Sequence, residues 1–132
     1  MRVVADSHAV VWHSQRSERL SEIAAATLNE AENTDGVVVS VASLIDLWYV
    51  TQTTAKVTDA DLAELRDKIA SASGWSLQPI DLDVIDATTS IPRDLLGDPW
   101  DRFIVATARA LNVALVTRDG PIRDSGLVPT IW

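Results

Sequence analysis

The sequence predicts an α/β domain with a mostly parallel sheet covered by helices on both faces. Three observations predict it. Short apolar runs rich in β-branched residues alternate with longer stretches of helical periodicity. The runs carry no alternation of polar residues, as expected for strands buried on both sides. Turn residues and capping residues separate them, with no repeat, low-complexity tract or linker. The 132 residues, 47% of them apolar, suit one domain spanning 1–132 with a sizeable core.

The elements follow in order. Residues 2–5 (RVVA) form a strand. Residues 7–14 form a helix with Ala9, Val10 and Trp12 as its apolar members. Ser21 caps a helix to about Glu32, with Ile23, Ala24, Thr27 and Leu28 on one face. Residues 37–40 (VVVS) are the second strand, and 43–52 a helix whose stripe is Leu44, Leu47 and Trp48. Thr58 opens a helix to Ser71, with acids in its first turn. Residues 77–80 are a weak strand, and Asp81 caps a short helix to Ser90. After a loop over 91–97, Asp98-Pro99 starts a helix to Leu111. Residues 114–117 are a strand, 120–125 a turn or short helix, and 128–131 the last strand.

Charge limits the function. The net charge is −8, from 19 acids and 11 bases. A general nucleic-acid binder carries a basic patch, so non-specific phosphate binding is expected to be weak. Any phosphate chemistry needs cations to bridge acid and substrate. Fourteen of the acids are Asp, a weak helix former suited to caps, turns and hard-metal ligation. There are no cysteines, which excludes disulfides and thiolate metal sites. No apolar run approaches the roughly 18 residues of a membrane span. The opening MRVVAD lacks the apolar core of a secretory leader, so a cytoplasmic protein with no membrane contact is expected.

Ligands of parallel sheets bind outside the carboxyl ends of the strands. Four aspartates fall there. Asp6 follows the first strand and Asp119 the fourth. Asp46 lies about one turn into the helix after the second strand, and Asp101 in the first turn of the helix beginning at Pro99. Each has a structural alternative. Asp6 fits as a helix cap, Asp119-Gly120 as a turn, and Asp101 as the acid of a capping box begun by Asp98. Asp98 itself is assigned mainly to capping. Helical phase says more about Asp101, because it shares a face with Ile104, Val105 and Ala108. A buried carboxylate is costly unless paired or metal-bound, and Arg102 points about 100° away. Asp46 lies roughly opposite the Leu44/Trp48 stripe, where a solvated face explains it equally well. Taken together, three or four Asp suit Mg²⁺ or Mn²⁺, which prefer oxygen ligands and can activate a water.

These residues resemble those of a known family. VVADSHAVVW at 3–12, VSVASLIDLW at 39–48, DPWDRFIVATARALNVALVTRDG at 98–120 and VPTIW at 128–132 resemble the PIN-domain ribonucleases of the VapC toxin type. The resemblance implies a three-layer α/β/α sandwich with about five strands. It implies Mg²⁺- or Mn²⁺-dependent endonucleolytic cleavage of tRNA or rRNA. Carried over residue by residue, Asp6, Asp46, Asp101 and Asp119 are the catalytic acids, with Asp6, Asp101 and Asp119 on the metal. Ser7 and Thr117 match supporting hydroxyls, and Arg102 an arginine that is structural or touches RNA phosphate. The second acid departs from the family, which usually has Glu where this chain has Asp46. A cognate VapB-like antitoxin and a homodimer are implied too.

Among the remaining candidates, His8 and Trp100 are placed against RNA. His13 is read as a surface residue, and Trp12 and Trp48 as core or dimer contacts. A competing reading is a catalytically weakened PIN-like module that binds an antitoxin or other protein, motivated by Asp46. A phosphotransfer domain fits poorly. It would want Asp-x-Asp after the first strand, where Asp6-Ser7-His8 stands, or a late lysine, and the only lysines are Lys56 and Lys68.

Overall fold

The computed structural model describes residues 1–132. The chain runs β1 (Val3–Ala5), α1 (Ser7–Ser14), α2 (Glu22–Glu32), β2 (Val37–Ser40), α3 (Val41–Thr53), α4 (Asp59–Ser71), β3 (Trp75–Gln78), α5 (Leu82–Thr89), α6 (Pro99–Leu111), β4 (Ala114–Val116), α7 (Gly120–Ser125) and β5 (Thr130–Ile131). The five strands form one sheet in the order β3-β2-β1-β4-β5. Every pairing is parallel. The predicted α/β/α sandwich is the one observed.

Strand periodicity divides the core in two. Val4, Val38 and Leu115 face one cluster with Val84 of α5, Ile104, Val105 and Ala108 of α6 and Ile122 of α7. Val3, Ala5, Val37, Val39 and Val116 face the other, with Ala9 and Val10 of α1, Ala24 and Leu28 of α2 and Ile69 of α4. Successive side chains point to opposite faces, so an unbroken apolar run serves both layers. Each fully buried Val, Leu or Ile contributes roughly 1.5–3 kcal/mol. No helix is long and apolar enough to cross a membrane.

Most of the capping predictions hold. Ser21 accepts from the Ala24 amide, Asp81 from Val84, and Thr58 and Asp61 form a reciprocal capping box. The last strand is shorter than the predicted 128–131, covering Thr130–Ile131, and three further expectations about the elements fail. β3 begins two residues before the predicted 77–80, because the register pairs Val37 with Trp75 and Pro79 has no amide to continue the ladder. Gly74 sets up that start. Its φ is +82°, and a Cβ there would stand 2.0 Å from the Glu32 carbonyl oxygen. Ile23 is exposed; α2 buries the predicted Ala24 and Leu28, together with Ala31.

The third failure bears on the site. α3 buries Ala42, Ser43 and Leu47, while Trp48 is 45% exposed. The buried face is rotated from the predicted Leu44/Trp48 stripe, since α3 lodges against α1, α4 and α6 rather than flat on the sheet. Asp46 lies beside Leu47 and one turn from Ser43, so it borders the buried face and is itself half-buried.

Candidate active site

β1 and β4 are neighbours in the sheet, although the chain reaches β4 only after passing out through β2 and β3 and back. The sheet reverses direction between them. Their carboxyl ends are therefore the expected ligand position, and Asp6 and Thr117 are the next residues of each.

Asp6 is 6% exposed and both its oxygens are engaged. Oδ1 accepts from the Ser7 amide at 2.6 Å, and Oδ2 from the Thr117 hydroxyl at 2.7 Å. Burial nevertheless raises its pKa, against the lowering effect of the Thr117 and Ser7 hydrogen bonds and of His8. The Thr117 hydroxyl oxygen in turn accepts from the Asp119 amide at 3.1 Å, so one hydroxyl ties two acids together. Asp119 caps α7, with Oδ2 accepting from the Ile122 amide at 2.9 Å. The capping reading of Asp6 is thus correct, Asp119 caps a short helix where a turn was expected, and both are compatible with a second role.

Asp101 behaves differently. Asp98 Oδ1 accepts from the amides of Trp100 and Asp101, as a helix cap should. The Asp101 carboxylate gives nothing back, so the predicted capping box is not formed. It continues the face of Ile104, Val105 and Ala108, all fully buried. Its pKa is pushed up to about 7, first by burial, then by the charges of Asp98, Asp119, Asp6 and Asp46. The four predicted acids therefore lie within one electrostatic neighbourhood. No three acidic or histidine side chains converge closely enough to hold an ion as they stand. Neighbouring carboxylates repel one another, and a cation would oppose that repulsion.

The donor chemistry fits Mg²⁺ or Mn²⁺. All four acids offer oxygen, no cysteine competes, and Asp101 is under-neutralised. Two buried hydroxyls beside these acids, Ser7 Oγ and Ser43 Oγ, have no hydrogen-bond partner. Orphaned buried polar atoms are rare and mark a functional or hydrated place. Ser43 was not singled out from sequence; its place one turn before Leu47 on a helix that should have been apolar was the available signal.

Arg102 resolves into one of its two predicted roles. Its guanidinium donates to the carbonyls of Leu96 at 2.7 Å, Ile91 at 2.8 Å, Thr88 at 3.0 Å and Pro92 at 3.5 Å. It ties the 88–96 connection to the base of α6 and is not free for phosphate. Trp100 is partly buried, 5.8 Å from Tyr49 and 6.3 Å from Phe103 between ring centroids. Tyr49 also packs on Trp48, at 5.0 Å. Trp48 is therefore part of an exposed aromatic row rather than the core. His13 is half-buried against Trp75, not a free surface residue. His8 is exposed, and its effect on Asp6 puts it at the pocket's margin.

A parallel α/β/α sandwich that gathers aspartates where its strand order reverses has the architecture of a compact PIN-type nuclease domain. The sequence profile described as PIN domain matches residues 3–124. The chain belongs to the PIN-domain family. It is 30% identical over 123 residues to Ribonuclease VapC22 of Mycobacterium tuberculosis, covering 92% of this chain and 90% of that protein. Two solved structures share the fold. A DNA-bound VapBC2 from Rickettsia felis matches with a TM-score of 0.72 at 14% identity, over 98% of this chain and 97% of that one. A DNA-bound VapBC from Salmonella typhimurium matches with a TM-score of 0.68 at 16% identity, over 98% and 96%.

Proposed function

We propose that this protein is a divalent-metal-dependent endoribonuclease, the toxin of a toxin–antitoxin pair, acting on tRNA or rRNA in the cytoplasm. One observation carries the reading. Asp101 is a half-buried carboxylate without a hydrogen-bond donor, held amid Asp6, Asp46, Asp98 and Asp119. Such a group calls for a cation. A relative named a ribonuclease, aligned over nearly the whole chain, supports the activity. Neighbours described as VapBC assemblies support a VapB-like antitoxin as partner. The −8 charge suits a basic inhibitory segment.

Asp6, Asp101 and Asp119 would hold Mg²⁺ or Mn²⁺, and Asp46, one methylene shorter than the usual Glu, would reach it through water. When bound, the ion supplies a nucleophilic water and neutralises charge at the scissile phosphate. The chain's own part is placement. Thr117 ties the Asp6 carboxylate to the backbone of Asp119. Asp98 and Arg102 fix the start of α6 and so the position of Asp101.

Purified protein freed of antitoxin should cleave RNA with Mg²⁺ or Mn²⁺ and not with chelator. Asp6→Asn and Asp101→Asn should each cut cleavage at least about 100-fold, as expected when a preorganised charge-stabilising group is lost. Equal cleavage by all three proteins would overturn the mechanism. The shortened acid at Asp46 favours a second reading, a weakened module that binds partners without cutting. Absence of cleavage under every metal condition, with antitoxin binding intact, would favour it.

A further inference from the structure

The acid pocket has a cationic, aromatic margin on its β4 side. Arg118 stands between Thr117 and Asp119, just past the carboxyl end of β4, and it is exposed. It forms no ion pair in a chain with an excess of acids; the only ion pairs are Met1 with Asp35 and Arg66 with Asp67. Its guanidinium carbon lies instead 5.8 Å from the centre of the Trp12 ring. Trp12 is also 5.4 Å from the His8 ring and meets the Trp132 ring edge-on at 5.8 Å. Side chains from α1, the end of β4 and the C-terminus thus form one surface next to Asp6.

The contrast with Arg102 is instructive. Arg102 spends its donors on four carbonyls, whereas those of Arg118 are all available. An arginine over an indole face keeps its planar fork turned outward, at little entropic cost on binding. Such a pairing offers two things a single-stranded nucleic acid requires, a cation for a phosphate and flat rings for a base. Metal at the acids would neutralise only the phosphate being cut. The adjoining phosphates would still face a protein of charge −8.

We propose that Arg118, with His8, Trp12 and Trp132, forms a subsite for the nucleotide next to the cleaved bond. Arg118 pairs with its phosphate and the rings stack its base. This rests on the ribonuclease reading, and Arg118 is a substrate-binding residue rather than a member of the acid machinery.

The test is fluorescence anisotropy with a labelled single-stranded RNA, using Asp101→Asn protein so that the strand survives. Arg118→Ala should weaken binding about 10-fold and lower the slope of log affinity against log salt by about 0.7, one phosphate contact. Arg118→Lys should restore the slope. Trp12→Phe should weaken binding several-fold at unchanged slope, as stacking is uncharged. In the otherwise unaltered enzyme, Arg118→Ala should raise KM about 10-fold with kcat nearly unchanged. Arg118 is exposed, so the variant is expected to fold, and its thermal melt checks this. RNA binding and cleavage that Arg118→Ala leaves unchanged overturn the subsite and spare the ribonuclease. A loss of antitoxin affinity alone also overturns it, as a protein contact. Failure of the unaltered protein both to bind and to cleave RNA overturns both readings.

Discussion

On the strand side of the acid pocket, Asp6 has both oxygens engaged and Asp119 one, through the Ser7 amide, the Thr117 hydroxyl and the Ile122 amide. On the helix side, the Asp46 and Asp101 carboxylates accept no hydrogen bond at all. Yet the backbone of that side is firmly held, by the Asp98 cap and the Arg102 clamp. The strand wall has rigid, satisfied acids, and the helix wall has a rigid frame carrying unsatisfied ones. Two donors lower the cost of charge on Asp6, although burial still raises its pKa. Asp101, half-buried without a donor beside four like charges, is pushed towards its protonated form unless a cation neutralises it. The pocket thus keeps half of its acids ready-made and leaves the other half to be completed by whatever enters.

The largest effect should come from removing the frame of the helix wall. Arg102→Met keeps the aliphatic stem and deletes the donors to four carbonyls, most of them partly buried. Hydrogen bonds to charged groups are each worth more than neutral ones, and stranded acceptors cost extra. The expected loss is roughly 3 kcal/mol, lowering Tm by about 10 °C in calorimetry. RNA affinity per folded molecule should keep its salt slope. A lowered slope with an unchanged Tm would make Arg102 a phosphate contact and break the comparison.

Thr117→Val strikes the strand wall with almost no change in shape. It removes the donor to the buried Asp6 and the acceptor for the Asp119 amide. A loss of roughly 2 kcal/mol is expected from urea denaturation. Metal affinity or cleavage should fall about 10–100-fold, as when groups orienting metal ligands are removed. If Thr117→Val alters stability but not metal affinity, the strand wall is structural and the helix wall alone defines the site.

The strand wall was the more legible of the two in sequence. Asp6 and Asp119 follow apolar runs that can only be buried strands, and the parallel rule then puts them at one edge. Asp101 was legible from phase, because α6 packs one continuous face, Ile104–Val105–Ala108, onto the sheet. Asp46 was not. Its helix lies over neighbouring helices, so the apolar residues at 44 and 48 point partly outward, and periodicity named the wrong stripe. The start of β3 was missed for a related reason: register against β2 and the Gly74 turn decide it, and neither is local. Nothing in the sequence singles out Arg118; only the closeness of Trp12, over 100 positions earlier, gives it a direction.

The smallest expected effect is the most direct test of unsatisfied charge on the helix wall. Asp101 is held at about 7 in the folded protein, against an ordinary value of 3.8. The folded state therefore keeps this proton while the unfolded chain releases it. The stability so gained is full below about pH 4 and is lost as pH rises through about 7. The site is partly open to water, which reduces the size of the effect. In chelator, the unaltered protein should melt lower at pH 8 than at pH 5.5. Asp101→Asn, which imitates the neutral acid, should flatten that difference and melt slightly higher at pH 8. Added Mg²⁺ should reverse the order, raising the Tm of the unaltered protein more at pH 8 than at pH 5.5, because an ion binds the deprotonated form and only the folded state presents the full set of ligands. Asp101→Asn should gain little from the ion. Identical pH profiles for the two proteins in chelator would mean that Asp101 does not change protonation between pH 5.5 and 8, and the two walls would then differ in geometry alone.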